Sequence, residues 1–330
     1  MNPKASVIDM AAPLVSGSGI PLPAQSLSQT TLVIGLQNVV DYMGDIADPL
    51  QFAKNPNPTP SAGLIDFGVA TNLGDIVTVN GQAAKGLYTG RARGVRTSPN
   101  PPPGNAIADV ARTAMRELYF DILTSGGTPV GTIFGFGLSG GAPPPTAPAG
   151  GHGNWAIVGG TGAYLGASGQ MCGTGSSGRA ASMAEDPSQR RVNGGKSFFF
   201  NIYVIPMFQP QIVTISSGPA LLHSDGTPVS SHKPAAPGET LSLLVTGLGP
   251  TIPEVDLGLP FPSTPVNVNS PVTVTVNGES AQVLNAVGYP GSVGSYQVDF
   301  QVPSDAARGT ATVQLSAAWI PATPVTITVH

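Results

Sequence analysis

Residues 154–169, Asn-Trp-Ala-Ile-Val-Gly-Gly-Thr-Gly-Ala-Tyr-Leu-Gly-Ala-Ser-Gly, constrain the fold more than any other stretch. An apolar run enters a turn built on Gly159, Gly160 and Gly162, and a run of small residues leaves it, which is the pattern of strand, tight turn and strand. A phosphate-binding loop would need a helix after the glycines, presenting its N-terminus to the anion, or a Gly-Lys-Ser/Thr ending. No helix-forming segment follows, and no such ending is present.

The rest of the chain is punctuated in the same way. It holds 43 glycines and 34 prolines in 330 residues, with 10% charged residues against a usual ~25%. Such a chain breaks into many short strands, and its 41% apolar content with strand alternation argues for packed domains rather than disorder. The length suits about two domains.

A net charge of −4 gives no electrostatic footprint for nucleic acid. Arg179, Arg190, Arg191 and Lys196 gather in a Ser/Gly-rich stretch and read as a solvated loop. Cys172 is the only cysteine, which excludes an intrachain disulfide and a cysteine metal site and reads as a buried, inert thiol. His152, His223, His232 and His330 are scattered away from metal-ligand spacing, so no metal is expected. No apolar run of ~18 residues spans a membrane, and residues 1–27 are too polar and Pro-rich for a secretory signal.

Along the chain, residues 1–27 read as an irregular arm. Strands are expected at Thr30–Val40, Leu64–Ala70, Asp75–Val79, Lys85–Thr97 and Met115–Leu123, with a helical turn within Asn105–Arg116. Two long loops, Ser139–Gly153 and Thr174–Lys196, decorate the rim of this first domain, 28–208. A boundary falls at Pro206–Pro210. Seven strands then follow at 8–15-residue spacing in 211–330, with Val272–Val276 running into Asn277-Gly278, a strong hairpin signal. Seven short antiparallel strands are the count of an immunoglobulin-like sandwich. The fold class is therefore all-β.

Four segments resemble the dirigent (allene oxide cyclase-type) family in the family's order: Gly90-Arg91-Ala92-Arg93-Gly94, the hairpin from Tyr119 to Phe134, Ile157–Gly169, and Phe199–Val204. The resemblance spans roughly 28–208 and implies an antiparallel β-barrel of about eight strands, trimer-forming and without a cofactor. It further implies a pocket that holds a small apolar or phenolic molecule and directs its coupling or cyclisation. Pro237–Leu243, Thr246–Thr251, Tyr296–Pro303 and Gly309–Ala311 are similar to an immunoglobulin-like module of exported bacterial proteins, which implies an extracellular or cell-surface setting in bacteria.

The family's pocket uses aspartates as acid/base groups with arginines nearby. Its first-strand His-Asp pair falls near Gln37-Asn38 here, where Asn38 has no proton to exchange, and Ser139-Gly140 and Ser168 stand where it has arginines. The remaining candidates are Asp41, Asp66, Asp121, Arg91 and Arg93. Arg91 and Arg93 share a strand face with Leu87 and Thr89, while Tyr88, Gly90 and Ala92 form the other; alternation alone leaves open which is inside. Trp155 and Tyr164 read as core residues. Two functions are thus expected: a cofactor-independent barrel that binds a small apolar or phenolic ligand, or a non-catalytic structural or adhesive subunit that self-assembles as a homo-oligomer.

Overall fold

The computed structural model describes residues 29–45, 66–96, 113–138, 142–175, 178–206, 209–256 and 258–330. The expected N-terminal arm and most of the expected helical turn at 105–116 lie outside these residues.

The first half forms strands β1 (Thr30–Asp45), β2 (Asp66–Val79), β3 (Gln82–Arg96), β4 (Thr113–Thr124), β5 (Pro129–Leu138), β6 (His152–Gly160), β7 (Ser168–Gly175), β8 (Arg179–Ser182) and β9 (Lys196–Ile205). Each of β2 to β6 pairs antiparallel with the next, β7 pairs with β9, β9 with β1, and β1 with β2. That last pairing closes an eight-strand barrel and leaves no free edge. The short β8 lies outside the count, parallel to β1 at Val40–Met43. Where the sequence suggested two strands with a break at residues 71–74, β2 is continuous, because Asn72 turns inward and finds a partner there.

Alternation fills the lumen. Leu32, Ile34, Leu36, Ile76, Leu118, Phe120, Ile122, Ile133, Met171, Phe200 and Ile202 are buried in one cluster. Around Phe200, ring centroids lie 4.9 Å from Phe120, 5.0 Å from Phe198 and 5.2 Å from Tyr88. One irregularity controls the site. In β1 the inward residues are even-numbered up to Leu36; a bulge at Gln37–Asn38 then shifts register against both neighbours. Asn38 occupies the left-handed region at φ 52°, which asparagine tolerates better than most residues. Past the bulge the parity reverses. Val39 and Asp41 face the lumen, while Val40 and Tyr42 face outward and pack on Ala181 and Leu73.

The second half forms a curled sheet whose path runs 211–212, 240–246, 295–301, 279–288, 272–276, 309–317 and 320–321, with 325–329 against 309–317. Asn277 and Gly278 both have positive φ, as a tight hairpin of this kind demands. Its own core includes Leu241, Leu243, Val298, Phe300, Val313 and Leu315. Ala318 and Ile320, at the turn leaving 309–317, belong instead to the barrel core, and Trp319 Nε1 donates to Gln82 Oε1 at 2.9 Å. The turn plugs one end of the barrel. Among the described residues no helix is long and apolar enough to cross a membrane.

Candidate functional site

The end of the barrel away from that plug holds a cavity of about 80 Å³ lined by Val39, Asp41, Tyr88, Arg116, His152, Trp155, Gly178, Phe198 and Phe200. These come from β1, β3, β4, β6, β9 and the residue preceding β8. Phe198, Phe200, Tyr88 and Trp155 make an aromatic wall, and Gly90 keeps it open, since a Cβ there would lie 2.9 Å from Tyr88 Oη and 3.1 Å from Asn72 Oδ1.

Asp41 is the acid of this cavity. Burial raises its carboxyl above the ordinary aspartate value, and the hydrogen bond from Asn72 Nδ2, the charges of Arg116 and Lys196, and the Gly178 backbone N–H only partly offset that. Burial likewise pushes the Tyr88 phenol well up, against the pull of Arg116. Several buried polar atoms here have no protein partner: Arg116 Nε, Trp155 Nε1 and Asn72 Oδ1. Unpaired buried polar atoms are costly, and these comprise two N–H donors and one carbonyl acceptor.

Outside the barrel wall a second polar cluster sits on β1 and β2. Asp75 accepts from Arg190 Nη2 at 2.7 Å, from Arg191 Nε and Nη2 at 2.9 and 2.8 Å, and from Asn38 Nδ2 at 2.9 Å. Burial alone would raise its carboxyl, but these hydrogen bonds win and hold it at about 2. Arg190 is only 5% exposed and so departs from the expected solvated loop, whereas Arg191 and Lys196 are exposed as expected.

The structure separates the residues singled out from sequence. Arg91 and Arg93 are exposed on the outer face, so Tyr88, Gly90 and Ala92 are the inner set. Asp121 is also exposed and accepts from Thr132 Oγ1 at 3.1 Å. Neither arginine nor Asp121 reaches the cavity. Asp66 pairs with Arg96 in the backbone register, and its side chain lies outside the described residues. Asn38 points away from the lumen to Asp75. Trp155, Tyr164 and Cys172 are buried, as expected. Arg116, Asn72, Tyr88 and His152 were not identified from sequence. The signal available for Arg116 was its parity with Leu118, Phe120 and Ile122, which places it on the inner face of β4.

A second recess of about 440 Å³ lies between the Thr161–Leu165 turn and the curled sheet, over Phe261 and Tyr296. Its carboxylates, Glu254 and Asp256, are exposed, and no acid is buried against it.

No family model matches the chain, and no curated protein matches it. Among solved structures it is similar to a pterocarpan synthase dirigent protein, at 16% identity over 58% of this chain and 98% of that chain, with a TM-score of 0.28. It is also similar to a polysaccharide lyase, at 10% identity over 90% of this chain and 40% of that chain, with a TM-score of 0.19. Neither likeness is close enough to assign an activity. What the strand pairing defines is a closed eight-strand antiparallel barrel, and a part-buried acid lies at one end of it.

Proposed function

We propose that the barrel is a dirigent-like, cofactor-independent binding protein whose cavity takes the oxygen-bearing end of a small apolar or phenolic molecule and directs its coupling or cyclisation. The observation that carries this reading is Asp41, a part-buried carboxyl with a raised proton affinity, together with the unpartnered N–H donors of Arg116 and Trp155. A carboxyl of this kind holds a proton closer to neutral pH, so it can give one to a ligand oxygen or take one from it. Arg116 Nε and Trp155 Nε1 would donate to the same oxygen as negative charge develops on it. The aromatic wall excludes water from the apolar body next to that oxygen. At about 80 Å³ the cavity accepts the end of such a molecule rather than the whole of it.

Titration calorimetry with 4-methylphenol and with toluene tests this. The phenol is expected to bind, toluene to bind at least about tenfold more weakly, and Asp41→Asn and Arg116→Gln to narrow that preference. Equal binding of the two compounds by the wild type would remove the basis for the reading.

A second reading, a non-catalytic structural subunit, is favoured by a different observation: side chains fill most of the lumen, while Leu87, Met115, Phe136 and Val158 stand exposed on the outer wall. Exposed apolar residues on a surface poor in charge favour self-association, with a homo-oligomer, a trimer by resemblance, as the expected form. Light scattering at high micromolar concentration giving a monomer mass would count against it. We also read 211–330 as a separate immunoglobulin-like domain and place the protein outside a bacterial cell or at its surface; the support for both is the sequence pattern.

A further inference from the structure

We propose that Asp75, Arg190 and Arg191 are positioning residues for Asp41: they fasten the segment 178–196 to the barrel so that Gly178 is held as a lid against the acid. The inference rests on the reading of Asp41 as the acid of the cavity.

Segment 178–196 touches the barrel at two places. At its start, Gly178 lines the cavity, and its backbone N–H donates to the Asp41 carboxylate. A side chain there would push on the acid, because a Cβ would lie 2.7 Å from Asp41 Oδ1. The adjoining β8 adds only four paired residues, Arg179–Ser182 against Val40–Met43. So short a parallel edge pairing is a weak fastening by itself.

The stronger fastening is at the other contact. Arg191 grips both oxygens of Asp75 as a fork, and Arg190 bridges Asp75 Oδ1 at 2.7 Å and the Asn38 carbonyl at 3.1 Å. Gly195 lets the segment's backbone sit directly on Asn38, since a Cβ would lie 2.4 Å from Asn38 Cα. Between the two contacts the segment is stitched to itself: Arg179 pairs with Glu185 at 2.6 Å and donates from Nε to the Gly194 carbonyl at 2.7 Å. A displacement at the Asp75 end is therefore carried to Gly178. The Asn38 bulge links the two functions, because it turns Asp41 inward and presents its own amide and carbonyl to the lock.

The groups facing Asp41 are Asn72 from β2, Tyr88 from β3, Arg116 from β4, Lys196 from the start of β9 and Gly178 from the lid, with His152 from β6 lining the same cavity. Releasing the lid admits water at the carboxyl and removes the Gly178 hydrogen bond. These act in opposite directions, and burial is the larger, so the Asp41 proton affinity falls.

Carbon-13 NMR of aspartate carboxyls, with the Asp41 resonance assigned by its loss in Asp41→Asn, reads this in the full chain without any ligand. In Arg190→Gln/Arg191→Gln the Asp41 midpoint is expected to fall toward the ordinary aspartate value, with Gly178 amide exchange about tenfold faster or more. Arg191→Gln, whose side chain is 68% exposed and whose loss does not threaten folding, should move both in the same direction by less, and Arg191→Lys should restore part of the change. An unchanged Asp41 midpoint and unchanged Gly178 exchange in the folded variants would overturn the lock. A wild-type Asp41 that titrates as an ordinary aspartate would instead overturn the acid reading on which the lock depends.

Discussion

Asp41 pairs with Asn72, Asp75 lies three residues further along the same strand, and the two acids are shifted in opposite directions, which gives them opposite pH dependences. A carboxyl raised in the folded state favours folding below its unfolded value and loses that contribution as pH rises through the folded value. Asp41→Asn is therefore expected to gain stability relative to the wild type between about pH 3 and about pH 7, measured by urea unfolding at both. Asp75, held at about 2, contributes stability above the unfolded aspartate value and loses it as pH falls toward 2. Replacing it by asparagine leaves the buried Arg190 without its carboxylate and should cost about 3–5 kcal/mol near neutral pH. The same urea measurements should show that cost shrinking toward pH 2; a constant cost would mean that the ion pairs are not its source.

Among the elements, the glycine turn and the β1 bulge differ in how far they can be read from sequence. The turn was legible because its geometry admits so few residues. Gly162 has φ 58° and a Cβ there would lie 2.4 Å from the Val130 carbonyl oxygen, so Gly162→Ala should cost about 2–4 kcal/mol in denaturant unfolding. Gly150→Ala, also left-handed but with open space around it, should cost only about 1–2 kcal/mol. Equal losses would mean that the close approach at Gly162 contributes nothing. The bulge was not legible. Simple alternation from Leu32 to Leu36 puts Asp41 outside, and only the one extra residue that the bulge at 37–38 inserts brings it in, by a choice that depends on pairing with β2 and β9. For the same reason alternation does not single out Asp41 from Asp66 and Asp121, and a Ser/Gly-rich stretch does not announce that Arg190 is buried: its partner, Asp75, lies 115 positions away.

For the whole molecule, the two halves were legible as strand sets because the second repeats short strands with turn residues between them, and six of the seven expected strands there recur with near-identical bounds. Their contact was not, since nothing in Ala317-Ala318-Trp319-Ile320 announces a plug for another sheet. Ile320 is 1% exposed within the barrel core, so Ile320→Ala should cost about 2–5 kcal/mol and lower the unfolding transition of the barrel rather than that of the curled sheet. Calorimetry that placed the whole loss in the curled sheet would contradict the plug. On the proposed reading, the plug leaves the opposite end, beside Asp41, as the way in for a ligand. The chain carries two tryptophans, one at each end of the barrel, Trp155 in the cavity wall and Trp319 hydrogen-bonded to Gln82. Their two indole N–H signals in a proton–nitrogen NMR spectrum, followed while 4-methylphenol is added, test the central claim most directly. The Trp155 signal should move and saturate while the Trp319 signal stays, and Asp41→Asn should weaken the response; a Trp155 signal that does not move, or movement confined to Trp319, would contradict the account.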